Sequence, residues 1–98
     1  MKNNRGMHIS YNQAIKMIND ENVILVDVKS KEEYIKFHLN NSINIPIEIF
    51  AKIAPKILKD KRQKIILYCS SGIRSLAAYE LLQDLGYDNV YNIYGGIE

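Results

Sequence analysis

Three short β-branched runs, NVILVDV (22–28), KIILYC (64–69) and NVYNIY (89–94), are separated by stretches whose apolar residues recur at helical spacing. That alternation limits the fold more than any other feature. A near-continuous apolar strand is buried on both faces, so it needs helices on either side of its sheet, as βαβ units provide. His8–Ile9 and SINIP (42–46) add two shorter strand candidates. Helix starts are marked by capping boxes, one from Ser10 and Gln13 and one from Ser30 and Glu33. The first opens onto Ala14, Ile15, Met17 and Ile18; the second opens a short helix ending at about Phe37. Pro46 suits the first turn of a helix over 47–58, which Pro55 is expected to kink or divide. The strongest helical stretch is 75–85, closed by Gly86. The expected fold class is α/β: a small doubly wound, mainly parallel sheet of about five strands with helices on both faces.

Ninety-eight residues make one domain, 1–98, in which residues 1–6 are expected to form a flexible N-terminus. An apolar share of 47% is that of a globular protein, and a net charge of +2 gives no reason to expect nucleic acid. The opening MKNNRGMHIS has basic residues with no apolar stretch behind them, so it does not read as a secretory signal. The longest apolar runs fall far short of the roughly 20 residues that span a bilayer. One cysteine cannot form an internal disulfide, so no oxidising compartment is implied. Two histidines and a cysteine, widely spaced, make no zinc pattern. A soluble cytoplasmic domain without metal or organic cofactor is expected, with no membrane partner.

The single cysteine, Cys69, stands where the KIIL strand stops and the strongest helix is about to begin. In parallel α/β sheets ligands bind beyond the carboxyl ends of strands. By burial statistics alone a strand-end cysteine is packing. The residues after it argue for chemistry. Ser70, Ser71, Gly72, Ile73, Arg74 and Ser75 join strand to helix, and such a turn can aim successive backbone N–H groups at an anion. Gly72 permits a backbone angle that a Cβ would resist. Arg74 adds charge, the helix N-terminus adds partial charge, and Ser75 fits both a helix cap and the site. These features would lower the Cys69 pKa and give an ionised nucleophile.

CSSGIRS resembles the Cys-x-x-Gly-x-Arg-Ser active-site loop of rhodanese-like sulfurtransferases. VILVDVKSKEEYIKFHLNNSINIP is similar to that family's first signature, and VYNIYGGI to its terminal strand and Gly-Gly pair. The chain departs from the pattern at Lys29 (usually arginine), Phe37 (glycine) and Ser42 (alanine), and it stops at Glu98 before a tryptophan that often follows. The resemblance implies a sulfurtransferase in which Cys69 takes sulfane sulfur from a small donor such as thiosulfate or a persulfide. The Cys69 persulfide would then pass it to a thiol or cyanide. Donor anions would be held by loop N–H groups from Ser70 to Ser75, with Arg74 holding loop and donor. The alternatives are a sulfur carrier or sensor without turnover, a partner-binding module, and a phosphatase or arsenate reductase. Four residues separate Cys69 from Arg74, one fewer than phosphatases need, which favours sulfur.

Asp27 ends a buried strand at the same sheet edge and reads either as a site carboxylate or as a cap and ion-pair partner; Lys29 and His38 match family positions. For His38 a hydrogen-bonded structural role is favoured over proton transfer. KIAPKILKDKRQK carries six basic residues against one acidic, and Lys52, Lys56 and Lys59 are expected to share a helical face. Such a run is a solvated surface or a docking patch for an acidic donor or acceptor protein. Tyr87, Tyr91 and Tyr94 are expected to pack the end of the last strand.

Overall fold

A computed structural model describes residues 8–20 and 22–97; the N-terminal run 1–6 lies outside them. In chain order the elements are β1 (His8–Ile9), α1 (Tyr11–Asp20), β2 (Val23–Asp27), α2 (Lys31–Lys36), β3 (Ile43–Asn44), α3 (Ile47–Ile57), β4 (Lys64–Tyr68), α4 (Ile73–Asp84) and β5 (Val90–Ile93). The five strands form one sheet in the order β1-β5-β4-β2-β3, with every pair parallel. This is the expected architecture, and β4 and β2 hold its centre in register, Asp27 opposite Tyr68.

Strand side chains alternate between faces, and the two cores divide on that period. Ile65, Leu67 and Val26 join Phe50, Ala54, Ala78 and Leu82, so α3 and α4 cover one face. Leu25, Ile66 and Tyr68 join Ala14, with Met17 and Ile18 of α1 against them, on the other. Cys69 continues the alternation of β4 and falls on the α3–α4 side. Each fully buried aliphatic side chain contributes about 1.5–3 kcal/mol by leaving water, so a one-residue slip of β4 is heavily disfavoured.

Both capping boxes are made. Ser10 and Gln13 exchange hydrogen bonds of 2.8 and 3.1 Å, and Ser30 and Glu33 of 3.0 and 3.2 Å. Three local expectations shift. Pro46 occupies the N-cap of α3, one residue before the helix, because the first helical N–H, that of Ile47, is used by the Val28 carbonyl. Pro55 does not divide α3. It lies in the last turn, where its missing N–H removes one bond and the Leu58 N–H still closes on Ala54. Lys52 and Lys56 are exposed on α3, but Lys59 follows the C-cap Leu58 and does not extend their face. After α4, Gly86 takes a positive φ of 92°, and the Gly86 and Tyr87 N–H groups close on the Gln83 and Leu82 carbonyls, as a Schellman ending requires. No helix of the described residues is long and apolar enough to cross a membrane.

Candidate active site

The turn after β4 brings its donors onto one atom. The Gly72 N–H donates to Cys69 Sγ at 3.0 Å and the Ser75 N–H at 3.3 Å, while the Ser75 hydroxyl lies 3.5 Å away. Gly72 permits this by adopting φ 94° as the N-cap of α4. Helix α4 therefore begins at Ile73, two residues before the sequence places it, and Ser75 is not the cap. Ser75 lies inside the first turn, its hydroxyl shared between Sγ and the Gly72 carbonyl at 3.3 Å. Cys69 is fully buried. Burial pushes its thiol up, but the Ser75 hydroxyl and the N–H groups of Ser75, Gly72 and Ser71 outweigh that and leave the pKa lowered.

Arg74 is placed beside the thiol but points its fork elsewhere. Its terminal nitrogens bind both carboxylate oxygens of Glu33 at 2.7 and 3.0 Å, and one also reaches Ser70 Oγ at 3.1 Å. The guanidinium therefore ties the loop to α2, and its hydrogen bonds hold the Glu33 carboxyl down to about 2. Glu33 reads from sequence only as a capping residue. Its second role has no sequence signal, because the pairing joins positions 41 residues apart.

The C-terminal segment fastens the loop from another side. The Ile97 N–H donates to the Cys69 carbonyl at 2.8 Å. Gly96 has φ 72°, and a Cβ there would lie 2.2 Å from the Ser70 carbonyl oxygen and 2.6 Å from the Ser71 nitrogen. Only glycine lets the two backbones pass this closely. A Cβ on Gly72 would in turn meet the Gly95 nitrogen at 3.0 Å.

The remaining sequence candidates lie outside this cluster of donors. Asp27 is buried and accepts from the Lys29 N–H at 2.8 Å, while Lys29 Nζ lies 3.5 Å from its other oxygen and donates to the Phe37 carbonyl at 2.9 Å. Lys29 also sits over the Phe37 and Tyr68 rings. His38 is exposed, stacked on Tyr34 with centroids 3.8 Å apart, its Nδ1 2.7 Å from the Tyr34 carbonyl oxygen. Of the three tyrosines expected to pack the end of β5, Tyr87 is buried and Tyr91 half-buried. Tyr94 is exposed, since it follows the strand and extends past its packed end.

Residues 10–98 match the model of the rhodanese-like domain. The chain belongs to the rhodanese-like family. A rhodanese-related protein from Thermoplasma volcanium superposes with a TM-score of 0.81 at 33% identity, over 92% of this chain and 85% of that one. An E. coli rhodanese solved with anions gives 0.68 at 31% identity, over 71% and 82%. A human single-domain sulfurtransferase shares the fold with a TM-score of 0.79 at 22% identity, over 93% and 90%. In sequence the rhodanese-like domain is also similar to tRNA uridine(34) hydroxylases of Hamiltonella defensa and Yersinia pestis, each 33% identical. It aligns over 94% and 96% of its own length but spans only 27% and 28% of theirs.

Proposed function

We propose that this rhodanese-like domain is a sulfurtransferase that carries sulfane sulfur on Cys69. The observation behind this reading is the convergence of the Gly72 and Ser75 N–H groups and the Ser75 hydroxyl on Sγ, with the thiol pKa lowered. A thiolate so held is a nucleophile, and the same donors suit the sulfur anion that follows it. In the first step Cys69 thiolate attacks the outer sulfur of thiosulfate or of a persulfide. A new S–S bond forms, the donor's own S–S bond breaks, and its electron pair leaves on sulfite or thiolate. In the second step cyanide or a thiol attacks the outer sulfur and the electron pair returns to Cys69. Arg74 positions the loop, since its fork is already engaged by Glu33. With no second cysteine in the chain, the persulfide discharges to an external acceptor.

Intact-mass measurement after incubation with thiosulfate is expected to show a gain of one sulfur, about 32 Da, as persulfidation requires. Cys69→Ala loses that adduct and all turnover. Absence of the adduct with both thiosulfate and glutathione persulfide overturns the proposal. A persulfide that forms but resists cyanide and thiols makes the domain a sulfur carrier instead.

A further inference from the structure

A cleft of about 330 Å³ opens beside the cysteine loop, walled by Gly72, Ile73, Leu76 and Tyr94, with His8 and Asn92 also lining it. That volume lies in the range of small-molecule sites, about 300–1,000 Å³. Three features define what it takes. Ser71 and Gly72 belong to both the cleft wall and the cysteine loop, and the Gly72 N–H donates to Cys69 Sγ behind that wall. Ile73, Leu76 and Tyr94 are 75%, 39% and 58% exposed, and no Asp, Glu, Lys or Arg is among the described residues that line the cleft. Asn92 is 3% exposed, and its Oδ1 has no hydrogen-bond partner among the described residues, while its Nδ2 lies 3.3 Å from His8 Nδ1. A buried acceptor left open in this way is unfavourable until a donor satisfies it.

The geometry points to an acceptor subsite for an uncharged low-mass thiol with an apolar body and an amide group. This rests on the sulfurtransferase reading and names its acceptor class. A dianionic donor finds no Lys or Arg in these walls, whereas an uncharged acceptor buries its body against Ile73, Leu76 and Tyr94 with its sulfur toward Cys69. Its thiolate attacks the outer sulfur of the Cys69 persulfide and forms the new S–S bond. The bond to Sγ breaks with its electron pair, Cys69 returns to thiolate, and the thiol's proton ends on the product persulfide.

The test loads the protein with thiosulfate, desalts it, and follows discharge by three acceptors. They are N-acetylcysteamine, which is uncharged and carries an amide; mercaptoacetate, which is anionic; and cyanide, which is too small to use the cleft. Corrected for thiolate fraction, N-acetylcysteamine is expected to outpace mercaptoacetate by about tenfold, and Leu76→Gln/Tyr94→Ser to lower the N-acetylcysteamine to cyanide rate ratio by about tenfold. Both side chains are substantially exposed, so the variant folds. Mercaptoacetate discharging as fast, or an unchanged ratio in the variant, overturns the subsite. A second readout needs no persulfide: the S-methyl ether of N-acetylcysteamine should shift the Ile73 and Leu76 methyl resonances of the resting protein. Shifts without any persulfide would sink the transfer reading and keep the cleft as a ligand site. Sulfur transfer without shifts or selectivity would sink the subsite alone.

Discussion

Strands β2 and β4 lie side by side in register, and each leads to a buried ionisable side chain, Asp27 and Cys69, yet the surroundings of the two differ in kind. Beyond β2, the chain supplies both partners. The Lys29 N–H and ammonium face the two Asp27 oxygens, the Phe37 carbonyl takes the ammonium, and the Asn44 amide donates to the Asp27 and Lys29 carbonyls. A buried cation meets a buried anion at 3.5 Å, although Asp27 Oδ2 accepts no hydrogen bond among the described residues. Beyond β4, two N–H groups and a hydroxyl meet at one sulfur, and the nearby Arg74 fork is bound to Glu33 instead. Donors that converge on an ionisable atom favour its anion. Polarity at a strand end can thus be built in two ways: the β2 end contains its own counter-charge, and the β4 end gathers donors on the atom to which the proposed chemistry is assigned.

Breaking the ion pair at the β2 end should cost the most. Asp27→Asn keeps the shape but leaves the Lys29 charge buried without its anion, which should cost about 3 kcal/mol of stability, the lower range for breaking a buried pair. Chemical denaturation measures this. Alkylation of Cys69 against pH, run well below the melting temperature, should keep its profile. If that profile moves while stability holds, Asp27 belongs to the chemistry and the contrast between the two ends fails. Gly96→Ala disturbs the β4 end instead. Its Cβ meets the Ser70 and Ser71 backbone and its φ is unfavourable for alanine, so about 2 kcal/mol of destabilisation is expected. Here persulfide formation should slow as well, because the displaced atoms belong to the cysteine loop. A Gly96→Ala protein with native melting and native rates would show that the C-terminal segment does not brace the loop.

The strand and helix order was legible because each buried strand carries a near-continuous apolar run and two helices carry complete capping boxes. The cysteine loop was legible because strand, glycine and helix follow one another within a few residues. Besides the local shifts in and after α3, three features around the site were not. The start of α4 moves from Ser75 to Ile73 because helix-cap preference points to the hydroxyl residue, whereas the positive φ of Gly72 and the pull on Sγ decide the start. The Arg74 fork points to Glu33 because a carboxylate 41 residues earlier becomes its neighbour only once β2 and β4 pair. The exposure of Tyr94 depends on where β5 ends, one residue before it, and no periodicity marks that boundary.

The smallest expected effect comes from severing the link between the two ends. Glu33 and Arg74 are both partly exposed, with side chains 40% and 29% accessible, so their ion pair contributes about 1 kcal/mol or less. Glu33→Gln isolates it, because glutamine at this position still completes the capping box with Ser30. The sign of the pH dependence follows from the depressed carboxyl. Its value falls from an ordinary 4.5 to about 2 on folding, so its contribution is complete above about pH 4.5 and is lost as pH falls toward 2. The stability difference between wild type and Glu33→Gln should therefore be constant from pH 6 to 8, a window chosen to lie above that titration, and should narrow below about 4.5. Urea denaturation across that series reads it directly. Persulfide formation should slow only a few-fold, as expected when a positioning contact worth about 1 kcal/mol is lost. A difference that does not narrow in acid would mean that the carboxylate is not what holds Arg74, and that the cysteine loop keeps its shape without the β2 side of the molecule.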